Sequence, residues 1–159
     1  MATKKDLSKK QQYKVGQIVV IPLPEQKFAF AKVFNDFDLG VYDFLSDKIE
    51  RLERVVQNRF SFFNAVTDRA IKDGTFLVIG EEPFPDEESA WAPRMASGVF
   101  PGDPGVGVLH IDHKGVTRRA NHPNEGAGMD IRNFSQRPEL LVRQIVDRLI
   151  RGNHHNYRV

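Results

Sequence analysis

The sequence gathers metal-ligating residue types in HIDHKG at 110–115, where His110, Asp112 and His113 stand close together and His122 follows nine residues later. Zinc chemistry needs three or four such ligands to converge on one point. On a strand, successive side chains point to opposite faces, so His110 and Asp112 share a face and His113 leaves it. At most two ligands then converge locally, on a spacing that fits no metal motif, and surface or hydrogen-bonded histidines are expected. The adjacent pair His154-His155 reads the same way. Gly98, Gly102, Gly105 and Gly107 could offer backbone N–H groups to a phosphate. No GK[ST] ends the run, no helix pattern follows it, and Pro101 and Pro104 interrupt it, so turn chemistry is expected rather than a nucleotide site. Glu81-Glu82 and Glu87-Glu88 could serve acid–base work, but adjacent exposed acids mostly repel and solvate. No nucleophile–base–acid set stands out. The chain has no cysteine, which removes thiolate nucleophiles, disulfides and sulfur-ligated zinc. The expectation is a protein that is not an enzyme, with no catalytic centre, no metal and no cofactor.

The elements that must position these residues are mostly strands. β-Branched and aromatic residues cluster between turn residues at 17–23, 27–34, 39–45, 58–66 and 75–80. Pro24-Glu25-Gln26 is short enough for a tight hairpin, and Asn35-Asp36-Phe37-Asp38 followed by Gly40 predicts a second turn. Residues 48–56, KIERLERVV, place Ile49, Leu52, Val55 and Val56 at helical spacing, while the β-branched ending leaves a strand equally open. Residues 81–107 are rich in Pro and Gly and read as one long connection. VGVLHID and GVTRRA form a further hairpin, turned at Lys114-Gly115. PELLVRQIVDRLIRG opens on Pro138, sets Val142, Ile145, Val146, Leu149 and Ile150 on one face, and stops at Gly152, the signature of a C-terminal helix. The fold class is therefore mainly β (α+β), a strongly bent antiparallel sheet or small open barrel with a C-terminal α-helix.

A length of 159 residues with 40% hydrophobic side chains fits one core. We expect a flexible basic tail over 1–12, one globular domain over 13–152, with no internal repeat, and a C-terminal tail over 153–159. The net charge of +2 is unevenly divided: residues 1–14 carry +4 and residues 138–159 carry +2, leaving −4 between them. A nucleic-acid binder sets its basic residues on the folded surface, whereas here the largest excess falls in the tail. MATKKDLSKKQQYK is charged like the start of a signal peptide, but no apolar run follows and no later segment is long enough to span a bilayer, so a cytosolic protein without membrane contact is expected. In the second strand Phe28, Phe30, Lys32 and Phe34 share one face. Aromatics beside a Lys can stack bases, but twelve Phe against three Tyr and one Trp favour core packing.

The run YKVGQIVVIPLPEQKFAFAKVF at 13–34, VYDF at 41–44 and AIKDGTFLVIGEEPFP at 70–85 resembles, in order and spacing, the immunity protein 26 family of bacterial polymorphic toxin systems. The elements are a Lys-Val-Gly start to a strand, a hairpin of aromatic and small residues, and a segment set by Gly74, Ile79, Gly80 and Pro83. Phe76 stands where that segment calls for Trp, and the likeness ends near residue 100. The resemblance implies a mostly β, non-enzymatic protein that binds a cognate toxin protein and neutralises it stoichiometrically. The alternative is an RNA-binding or endoribonuclease domain of small-barrel type. If the toxin is a nuclease, its groove is basic and its inhibitor's contact surface is acidic. The candidate partner-binding residues are accordingly Glu81, Glu82, Asp86, Glu87, Glu88, Asp36 and Asp38, with Trp91 as a desolvated anchor. Asp43 and Asp47 belong to the same acidic stretch as Asp36 and Asp38. A protein partner is expected rather than nucleic acid, membrane or a small molecule.

Overall fold

Strand β1, Gln17–Leu23, carries the run IVVI, and in the computed structural model, which describes residues 10–132 and 137–159, both faces of that run are buried. Near-continuous apolar sequence is what a strand covered on both sides requires. β1 is followed by β2 (Lys27–Val33), β3 (Asp38–Ser46), β4 (Phe60–Ala65) and β5 (Leu77–Glu81), which form one antiparallel sheet in the order β4-β3-β2-β1-β5. These positions are those read from the sequence. The register shifts at Ile18/Val19, Ala29/Ala31 and Val41/Tyr42, and such bulges bend the sheet. The two predicted turns are present at Pro24–Gln26 and Asn35–Phe37. Helical spacing prevails over strand only briefly at 48–56, as the short helix α1 (Leu52–Val55), and a second turn of helix, α2, spans Arg69–Lys72.

One face of the sheet contributes Val19, Ile21, Ala29, Ala31, Val33, Leu39 and Val41 to a core closed by Ile71 of α2 and by Leu141 and Ile145 of α3 (Pro138–Ile145). The other face buries Ile18, Val20, Phe30 and Tyr42 with Val55 of α1. Phe30, Lys32 and Phe34 are all buried, so the aromatic face of β2 is core and offers no base-stacking platform. After α3 the chain makes one π-helical turn, Val146–Ile150, and leaves the helix at Gly152 with φ 71°. No helix among the described residues is long and apolar enough to cross a membrane.

A second antiparallel sheet, β6-β7-β8, comprises Met95–Phe100, Asp103–His113 and Val116–Arg119, with the predicted turn at Lys114-Gly115. It corrects the expectation that 81–107 is one connection. The glycines that read as loop are points of close strand approach: a Cβ on Gly98 would lie 2.3 Å from the Val108 carbonyl oxygen, and one on Gly107 2.2 Å from that of Gly98. Only glycine fits there, so a loop-like composition encodes a tightly coiled hairpin.

The described residues at both ends of the chain are attached to the body of the fold. Residues 1–9 lie outside the described residues, but the Gln11 side chain donates to the carbonyls of Ile71 (2.8 Å) and Phe76 (2.7 Å) and accepts from the Val78 N–H (2.9 Å). At the other end, residues 157–159 bond to 128–131 through Ile131 N–H to Tyr157 O (2.9 Å), Gly128 N–H to Val159 O (2.7 Å) and Val159 N–H to Met129 O (3.0 Å). Arg148 lies under this segment at 0% exposure. Its Nη2 donates to Asp130 (2.7 Å), its Nε faces His154 Nδ1 at 3.1 Å, and its guanidinium sits 4.2 Å from the Phe62 ring.

Two stability effects are expected. Gln11→Ala removes three hydrogen bonds at once and should lower unfolding stability in urea by about 1–2 kcal/mol; an unchanged midpoint would show that the N-terminal segment does not dock. Arg148→Met leaves Asp130 with a weaker, more distant cation and should cost about 3 kcal/mol by the same measurement, despite the added apolar volume.

The acidic strap and the sheet junction

The segment between β5 and β6 crosses from one sheet to the other as a strap, and aromatic packing fixes its course. The Phe84 ring sits 4.9 Å from Phe34, which also meets Phe60 (5.4 Å) and Phe63 (5.1 Å) edge-on. Gly40 lies beneath this group, and any Cβ there would come within 2.8 Å of Phe34, Phe60 and Phe63 alike. Lys32, 5% exposed, places its Nζ 4.0 Å from the Phe84 ring centre and 3.0 Å from Glu82. A buried ammonium is thus held by one carboxylate and one ring face, the pairing that makes its burial tolerable.

Most of the strap's acids already have cations. Glu81 pairs with Lys14 (3.0 Å), Glu82 with Lys32, and Glu88 with Lys114. Asp86 accepts the Ser89 backbone N–H at 2.7 Å, and bonds from the Ser89 backbone and hydroxyl hold its carboxyl below the ordinary range. Glu87 is exposed and makes no ion pair among the described residues. Asp43, from the other acidic stretch, pairs with Arg59 at 3.4 Å.

Asp36 and Asp38 lie 50 residues upstream of the strap in sequence but meet its far end in space. They line one small cavity with Trp91, Met95, Asp112 and Arg132. Asp38 is only 5% exposed: its carboxylate faces inward, accepting from Arg132 Nε at 2.9 Å, so it positions the junction and does not present a surface charge. Asp36, exposed and at φ 62°, accepts from Arg132 Nη2 through its carbonyl (2.8 Å) and its carboxylate (3.3 Å). Those bonds hold a left-handed turn that Asp36 and Phe37 would otherwise adopt at a cost. Trp91 is half-buried and lies beside Gly115.

Arg132, which sequence reading passed over, joins the two sheets. Asp112 of β7 brings Oδ2 to 3.7 Å from its Nη1 and accepts the Ser97 hydroxyl on Oδ1 at 2.8 Å. Asp112 is therefore a buried ionic partner, although its alternation with His110 first suggested a ligand pair. His110 Nδ1 lies 2.9 Å from the Val108 carbonyl oxygen. Among the described residues no group of three His, Asp or Glu side chains is placed to hold a metal ion.

Three carboxylates around one guanidinium leave negative charge uncompensated. Burial, opposed by Arg132 and reinforced by Asp36 and Asp112, raises the Asp38 carboxyl from 3.8 to about 7. A folded-state value above the unfolded one means that its stabilising contribution is complete below about pH 4 and is lost as pH rises towards 7. Asp38→Asn should flatten the pH dependence of unfolding stability between those limits, removing a slope on the order of 2 kcal/mol in total. Parallel wild-type and variant curves in urea titrations would refute this account of Asp38.

Comparison with protein families finds a match to the family described as Immunity protein 26 over residues 14–97, from the strand-leading Val15-Gly16 through the strap and into β6. Neither a curated protein nor a solved structure matches the chain. The match spans more than half of the sequence and contains the five-stranded sheet entire, so the chain belongs to the immunity protein 26 family.

Proposed function

We propose that this protein binds a cognate toxin domain in the cytosol and neutralises it one-to-one, without catalysis, by laying the strap at 81–91 across the toxin's functional groove. The observation that carries this reading is the placement of Asp86, Glu87 and Glu88 as exposed acids on a segment anchored at one end by Phe84 and at the other by Trp91. A rigidly held charged loop loses little conformational freedom on binding, and Asp86 and Glu87, which form no ion pair among the described residues, would steer a basic partner toward it. A nuclease suits such a surface best, because its substrate groove must be basic to hold phosphates. Family membership supports the immunity role, and the exposed acids support the choice of partner chemistry.

The ion pairs decide which acids to change. Glu82 must stay, because a lysine there would face the buried Lys32. The triple variant Glu81→Lys, Glu87→Lys, Glu88→Lys disturbs only exposed pairs, each worth at most about 1 kcal/mol, so its melting temperature should stay close to that of the wild type. Its association with the toxin should slow by about tenfold or more at low ionic strength, with the difference shrinking as salt screens the field. Bacteria carrying the toxin should lose protection. Unchanged association together with full protection would remove the strap from the interface.

A further inference from the structure

The junction holds three carboxylates, Asp36, Asp38 and Asp112, against the single guanidinium of Arg132. Asp112 is 4% exposed, and among the described residues its Oδ2 accepts no hydrogen bond, with Arg132 Nη1 at 3.7 Å. A cavity of about 10 Å³ opens beside these groups, with Trp91 and the Lys114–Thr117 turn completing its wall. The other positive groups on that wall are accounted for. Lys114 is tied to Glu88, and burial together with Lys114 and Arg94 holds His113 below its ordinary pKa, so its imidazole is neutral near pH 7.

We propose that this cavity receives a primary ammonium group, the tip of a lysine side chain presented by the toxin. The inference rests on the toxin-binding reading and names the anchor within it. Size selects the ligand: the space fits one group about as large as a water molecule, which describes an ammonium but not a planar guanidinium. Charge selects its sign, since a second cation offsets part of the negative charge that Arg132 leaves over and gives Asp112 Oδ2 a donor. Trp91 adds an aromatic wall, a surface on which a desolvated cation is stabilised. Burial is the main cause of the raised Asp38 carboxyl, and the neighbouring carboxylates of Asp36 and Asp112 add to it, in keeping with an excess of negative charge here.

Trp91 is the sole tryptophan in the chain, so its emission reports on this cavity directly. Titrating the purified protein near neutral pH with n-butylammonium chloride, against sodium chloride of equal ionic strength and against neutral n-pentanol, should give a saturable change in Trp91 emission for the ammonium alone, in the millimolar range. Asp112→Asn keeps the side-chain shape and an acceptor for the Ser97 hydroxyl, and should weaken that binding by about tenfold, the factor expected for about 1.4 kcal/mol, without lowering the melting temperature. A response no larger than that to sodium chloride, or one unchanged in Asp112→Asn, overturns the proposal. So does equal or tighter binding of n-propylguanidinium. None of these titrations contains toxin, so they can fail while the neutralisation reading stands. Conversely, if the ammonium binds but Asp112→Asn protects toxin-bearing bacteria as well as the wild type does, the cavity is a cation site outside the toxin interface and the lysine anchor is refuted.

Discussion

The strip Asp130-Ile131-Arg132 is the constraint on which the rest of the structure depends. Its backbone holds β6, through Ala96 N–H to Asp130 O (2.9 Å) and Arg132 N–H to Ala96 O (2.7 Å). Its side chains reach the other way. Asp130 accepts from the Phe63 N–H on β4 (3.1 Å) and from Arg148 behind α3, while Arg132 binds the Asp36–Asp38 turn that leads into β3. A buried ion is tolerable only with its partner in place, so each pair admits few alternative arrangements of the elements that carry it. Apolar contacts between two sheets allow sliding. Two ion pairs two residues apart on one strip do not.

This constraint is transmitted to the strap. The second sheet begins at the strap's end, so fixing β6 against the five-stranded sheet fixes where Trp91 lies, and Phe84 fixes the other end. Between them the chain has a single short 3₁₀ turn, Glu88–Ala90, held by Asp86. The exposed acids are thus displayed on a span tied at both ends. Gly40 contributes from beneath: its missing side chain admits the rings on which Phe84 rests. The display of these acids at the surface thereby depends on a packing decision in the sheet interior.

The strands of the first sheet were legible because their signals are local. β-Branched and aromatic runs end at Pro24 and Asn35 or begin after Gly74, and Pro138 and Gly152 bracket the C-terminal helix and its π turn in the same way. The second sheet was half hidden, since glycine at 98 and 107 reports close strand approach just as well as a turn, and sequence alone cannot separate the two. The candidate site was legible as charge but not as geometry. Asp38 reads as a surface acid beside Asp36, yet the residue that buries it, Arg132, stands 94 positions away. Lys32 and Glu82 are 50 apart. Spacing within an element predicts which side chains share a face; it contains nothing about which faces meet after the chain has turned several times.

The way the acids are paired bears on how such a surface would work. Five of the eight candidate residues, Glu81, Glu82 and Glu88 on the strap and Asp36 and Asp38 at the junction, already face a lysine or arginine of their own chain. Their field at a distance is weak, so in the proposed complex long-range steering would fall to Asp86 and Glu87. At contact the order reverses. Lys14 is largely exposed and pairs across solvent, so in the proposed complex a toxin's cation would replace it at Glu81 while the displaced ammonium returned to water. That exchange leaves no buried charge unpaired, the circumstance in which interfacial charges become costly. Lys32 cannot leave in this way, being enclosed by Phe84 and Glu82, and it would anchor the strap through such an exchange.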